Sequence, residues 1–155
     1  MRLSIYSIII ILTIIASCKS KLSEDESHLD MYFEEKHNIK RTDFNNYFLI
    51  VISGDCGSCT EKTIKFLKRI GDPNNKRFSG YKKIVIVPEN NAYVLDSVKN
   101  TSIKFFVEEG FELEKYGIKF PKNTLFEFKN NNLIYKDWLY LENVDKVAKK
   151  YGLSL

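Results

Sequence analysis

Runs of apolar residues alternate with polar stretches of two kinds along this chain. Tyr47-Phe48-Leu49-Ile50-Val51-Ile52 is continuously apolar and ends at Ser53-Gly54, which predicts a buried strand and then a turn. From Cys59 the apolar positions Thr63, Phe66, Leu67 and Ile70 recur at helical spacing, with Lys62, Lys65, Lys68 and Arg69 on the other side. Gly71-Asp72-Pro73-Asn74-Asn75 stops that helix. Lys83–Val87 predicts a second strand closed by Pro88, Asn91–Val98 a short helix, and Ile103–Val107 a third strand. Phe111–Tyr116 reads as a helical turn ended by Gly117. Thr124–Phe128 and Leu133–Tyr135 read as a hairpin joined through an Asn-rich loop. Glu142–Tyr151 is a helix with Val144, Val147, Ala148 and Tyr151 inward, capped by Gly152. This order predicts an α/β fold with a central mixed sheet flanked by helices, closed by a C-terminal hairpin and helix. The Asn-rich patches read as compositional bias in loops.

The first residues follow a different pattern. Arg2 precedes an apolar segment, Ile5–Ile15, too short and thinly flanked for a membrane span, and Ala16-Ser17 then precede Cys18. This resembles the signal and lipobox of bacterial lipoproteins. The resemblance implies cleavage after residue 17, lipid on Cys18, and anchoring to a membrane of the cell envelope, facing outside the cytoplasm. Lys19–Ser27 is polar and acidic and reads as a flexible tether. Residues 28–39 are apolar at near-helical spacing but shortly, so a small helix or an edge strand fits. The expected division is therefore 1–17 signal, 18–43 lipidated cysteine, tether and N-terminal extension, and 44–155 the folded domain.

Composition narrows the function. The net charge of +4 is mild, and no Arg-rich stripe or aromatic-basic interleaving supports nucleic-acid binding. With Cys18 set aside, the other two of the three cysteines form one pair, Cys56-Gly57-Ser58-Cys59, at a strand-to-helix junction. A helix N-terminus stabilises a thiolate through unpaired N–H groups and partial positive charge, and a spacing of three residues lets the two sulfurs bridge. Cys59 falls on the inward helix face and Cys56 outside it. Zinc asks for four ligands, and only His28 and His37 remain, both far upstream, so no metal is expected; both histidines read as solvated. The adjacent acids Glu34-Glu35 and Glu108-Glu109 read as solvated faces. A static disulfide in an exported domain is the bland alternative, although its tiny loop stabilises little through chain entropy.

From Phe44 onward the chain resembles the thioredoxin fold, and specifically the membrane-tethered thioredoxin-like proteins of bacterial envelopes. Tyr116-Gly117-Ile118 followed by Thr124–Phe128 is similar to that family's second half. The resemblance implies thiol–disulfide exchange, with Cys56 as nucleophile and Cys59 as resolving thiol. It implies protein disulfide or dithiol substrates and a dithiol electron donor, with no cofactor. Gly57, Ser58 and Pro121 would shape the substrate groove. Neither Gly57 nor Ser58 is the histidine that marks strongly oxidising members, which favours a reductase. Three departures stand out. The family's proline directly precedes the threonine, where this chain has Asn123, with Pro121 two residues earlier. Ile50 takes the place of a buried acid. Asp55, not an aromatic residue, precedes Cys56. A non-catalytic lipid-anchored scaffold and a peroxiredoxin-like peroxidase, with Ser53 three residues before Cys56, are the alternatives.

Overall fold

The computed structural model describes residues 24–53, 56–109, 112–118 and 120–155. The predicted signal peptide, Cys18, Gly54 and Asp55 lie outside these residues. Helix α1 covers residues 24–31 and closes in a π-helical turn, Tyr32–Lys36. Strand β1 (Tyr47–Val51) leads to α2 (Gly57–Gly71), and β2 (Lys82–Pro88) to α3 (Tyr93–Val98). Strand β3 (Ile103–Glu108) precedes the short α4 (Glu112–Lys115). The hairpin β4 (Thr124–Lys129) and β5 (Asn132–Trp138) precedes α5 (Leu141–Lys150).

The five strands form one sheet in the order β3-β2-β1-β4-β5. β1 runs parallel to β2, and β2 to β3, whereas β4 is antiparallel to both β1 and β5. β1 is therefore central, which explains why its sequence is apolar without alternation: a strand covered on both faces has no solvent side. Phe48, Ile50 and Ile52 point into one core with Phe66, Leu67 and Ile70 of α2 and Val144 and Val147 of α5. Tyr47, Leu49 and Val51 point into the other, against Leu29, Tyr32 and Phe33 of α1. The predicted inward face of α2 is the buried one, from Cys59 through Ile70. Gly152 follows α5 with φ +64°, the left-handed conformation that glycine adopts at helix ends.

Two sequence expectations change. The first concerns the tether predicted through Ser27: from residue 24 the chain is helical and docked. Its acids have partners on the far hairpin strand. A Glu26 carboxylate oxygen accepts the Leu133 N–H (2.8 Å), and Lys136 pairs with Asp25 (2.7 Å). Arg41, 7% exposed, binds Asp30 through its guanidinium and also donates to the Tyr47 hydroxyl (3.2 Å) and the Asn131 carbonyl (2.9 Å). Residues 24–43 thus pack into the domain. The second concerns the asparagines read as bias. Among the described residues, the non-glycine positions with positive φ are Asn38, Asn45, Asn130 and Asn131. Asparagine tolerates the left-handed region better than most residues, and Asn130-Asn131 forms the tight hairpin turn with both φ values positive.

Candidate functional site

Cys56 is the N-cap of α2, and its backbone is extended there, so the side chain turns back over the first helical turn. Its Sγ accepts the Cys59 N–H at 3.3 Å, taking one of the helix's free donors. The two cysteines form a disulfide, with Cα atoms 5.2 Å apart. Cys56 is half-buried and Cys59 is 6% exposed, so the bridge joins an accessible sulfur to a sheltered one. Ser58 Oγ lies 3.7 Å from Cys56 Sγ on the exposed side. Gly57 is exposed, and a Cβ placed on it would meet nothing within 4 Å among the described residues.

Asn123 holds the opposite wall. It is 1% exposed and directly precedes β4. Its Oδ1 accepts the Ser53 N–H (2.9 Å) and the Ser53 hydroxyl (3.3 Å). Its Nδ2 donates to Thr63 Oγ1 (3.1 Å) and Thr60 Oγ1 (3.4 Å) on α2. Those hydroxyls donate in turn to the carbonyls of Cys59 and Cys56. One side-chain amide therefore ties the end of β1, the first turns of α2 and the start of β4 together around the disulfide. Ile50 is buried in the core beneath, with no ionisable group in its place. No peptide bond among the described residues is cis.

A cleft of about 660 Å³ opens beside this frame. Its lining runs from Ser53 and Pro121 over Val51, Ile86 and Ile118 to Glu108. Pro121 thus shares a cleft with the residue three positions before Cys56. On the other flank Trp138 is exposed at the end of β5, and the Lys122 ammonium lies 5.3 Å from its ring centroid and 4.4 Å from that of Tyr140.

The reading of Glu108 and His37 as solvated is corrected here. Glu108 is 3% exposed because strand parity puts it, like Phe106, on the face covered by α1. The Tyr32 hydroxyl donates to its Oε1 (2.6 Å), and His37 Nε2 lies 3.0 Å from the same oxygen. Burial and this hydrogen bond push the Tyr32 hydroxyl pKa well above its ordinary value. Glu34, Glu35 and Glu109 are exposed as expected. At the cleft rim, the hydrogen bond from Lys115, and then the charges of Lys115 and Lys36, hold the Glu112 carboxyl below the usual range. Among the described residues no group of three or more His, Cys, Asp or Glu side chains could hold a metal ion. No helix among them is long and apolar enough to cross a membrane.

No protein-family model and no curated protein matches this chain. A solved structure does: a protein from Chlorobium tepidum described as a thiol:disulfide interchange protein, DsbE. It is 13% identical, and the match covers 71% of this chain and 79% of that one with a TM-score of 0.50. The chain has a thioredoxin-like fold, and its Cys-x-x-Cys disulfide lies at the N-terminus of the helix after the central strand. Sequence reading placed the two cysteines. It did not find the Asn123 frame, although the asparagine in the proline's position was its one visible sign.

Proposed function

We propose that this protein exchanges disulfides with protein substrates outside the cytoplasm, acting as a reductase. The observation that carries the reading is the asymmetry of the pair: Cys56 is accessible at a helix N-cap and Cys59 is shielded behind it. In the reduced protein the Cys56 thiolate attacks one sulfur of a substrate disulfide. The other substrate sulfur leaves as a thiolate and takes up a proton, and a mixed disulfide remains. Cys59, once deprotonated, attacks Cys56 Sγ, expels the second substrate thiolate and closes the 56–59 bridge. Two electrons pass from protein to substrate, and a separate dithiol carrier returns them. The helix terminus favours the Cys56 thiolate. Gly57 leaves room for an approaching backbone, Ser58 offers a hydroxyl beside the sulfurs, and Pro121 lines the adjoining cleft. A lipid on Cys18 holds the domain at the envelope membrane. The described activity of the structural neighbour agrees with exchange chemistry.

The competing reading is a lipid-anchored scaffold that keeps the fold for binding, and Ile50 and Asn123 favour it because each replaces a family feature. A trapping experiment separates them. In protein carrying Cys18→Ser, so that only the pair can react, Cys59→Ser should accumulate dithiothreitol-sensitive mixed disulfides through Cys56. Adduct levels no higher than those of a variant lacking both cysteines would leave the scaffold.

A further inference from the structure

The cleft near the disulfide carries groups that exchange chemistry does not use. Glu108 lines it, and while its Oε1 is held by Tyr32 and His37, its Oε2 is buried and has no hydrogen-bond partner among the described residues. The Lys36 ammonium forms an ion pair with Oε2 at 3.7 Å, beyond hydrogen-bonding range, and lies closer to Glu112, at 3.5 Å. A buried carboxylate oxygen with no donor is costly to the fold. Glu89, Glu112 and Glu114 line the same cleft, together with the apolar side chains of Val51, Ile86 and Ile118.

An apolar channel ending at an unsatisfied carboxylate matches one kind of side chain: a cation on a methylene stem. The stem would lie on the apolar lining, as lysine and arginine stems do on apolar surfaces, and the head would supply the missing donor to Oε2 once the carboxylate turns towards the cleft. The cleft is continuous with Ser53, whose backbone the disulfide frame holds, and with Pro121. Ser53 stands three residues before Cys56, so a chain engaged at Cys56 has this cleft as a neighbour. We propose that the cleft is a subsite for a lysine or arginine side chain of the polypeptide whose disulfide the protein reduces. The proposal deepens the exchange reading and rests on it: it names basic residues beside the target cystine as the mark of a substrate.

The test uses protein with Cys18→Ser and a series of short peptides, each carrying one disulfide, that differ only in lysine, norleucine or glutamate at each position flanking a cysteine. The lysine peptide should show a KM about tenfold below that of the norleucine peptide, the scale expected of one charge-assisted hydrogen bond, with glutamate weakest. Glu108→Gln should abolish that ranking. Equal KM values across the series would overturn the subsite. A second measurement stands without any variant or exchange. Acetyl-lysine methylamide, but not acetyl-norleucine methylamide, should shift the backbone amide resonances of Glu108 and Glu112 in the oxidised protein. Shifts from neither, or from both alike, would overturn the proposal. If no peptide in the series is exchanged, the exchange reading fails, and this titration still decides the subsite.

Discussion

The Oδ1 of Asn123 accepts both the backbone N–H and the hydroxyl of Ser53, 70 residues away in sequence. With its Nδ2 on Thr60 and Thr63, the asparagine at the start of β4 satisfies groups at the end of β1 and on α2 at once. Asn123→Ala would leave a partly buried backbone N–H and three hydroxyls short of a partner, and should cost about 2–4 kcal/mol in stability by the penalties for unmet buried hydrogen bonds. Asn123→Asp should cost at least as much at neutral pH, because a carboxylate cannot donate to the threonines and would be buried unpaired. Urea melts of both variants check this. An alanine variant within about 0.5 kcal/mol of the parent would mean that the frame contributes nothing.

Gly57 offers a cleaner probe of partner approach. Among the described residues nothing lies where its Cβ would go, and α2 begins there. Gly57→Ala should keep or raise the melting temperature, since alanine is favoured over glycine in helices by up to about 1 kcal/mol. Exchange with a small disulfide such as oxidised glutathione should persist, whereas exchange with a folded protein disulfide should slow. Equal rates on both would show that no substrate backbone passes over residue 57.

The N-terminal helix was the least legible part of the fold. Asp25 and Glu26 look like tether residues because their partners, Lys136 and the Leu133 N–H, lie more than 100 positions away. Local periodicity holds no trace of such pairs, and the three fully buried side chains Leu29, Tyr32 and Phe33 are too few for a strong helical signal. By contrast α2 and β1 were read directly, because burial on one helix face and on both strand faces writes itself into apolar spacing. The cysteines were legible for a chemical reason, as a spaced pair at a helix start. Glu108 was not, since an acid at a strand end looks solvated until the helix that covers it is known. A chain beginning at Phe44 should therefore expose the β1 face and fail to give a cooperative thermal transition. Arg41→Ala should cost about 1–3 kcal/mol, because the Tyr47 hydroxyl and the Asn131 carbonyl lose a donor while Asp30, half exposed, returns to water. Calorimetry on both decides the point.

Buried tyrosines set the alkaline limit. Burial, then hydrogen bonding to Glu108 and Glu127 respectively, raises the pKa of Tyr32 and Tyr151, and burial raises that of Tyr47. A folded pKa above the unfolded one gives stability that is whole below the unfolded value and is lost as pH rises past it. The unfolded chain releases these protons first, so stability should fall above about pH 10, by about 1.4 kcal/mol per pH unit for each such tyrosine. Tyr151→Phe should lower stability at neutral pH, by taking the hydroxyl donor from Glu127 Oε2 while Tyr81 still donates to Oε1, and should make the alkaline slope shallower by one proton. Urea titrations between pH 8 and 11 read both. An unchanged slope would mean that Tyr151 ionises equally in both states.

The most direct measurement is the equilibrium between the 56–59 disulfide and a glutathione buffer, followed by alkylation of free thiols in protein carrying Cys18→Ser. An exchange protein should open and close reversibly as a two-electron couple, between about −120 mV for a strong oxidant and about −270 mV for a thioredoxin-like reductant, and nearer the latter. A potential below about −300 mV, where structural disulfides of secreted proteins lie, would contradict the account and make the bridge a staple.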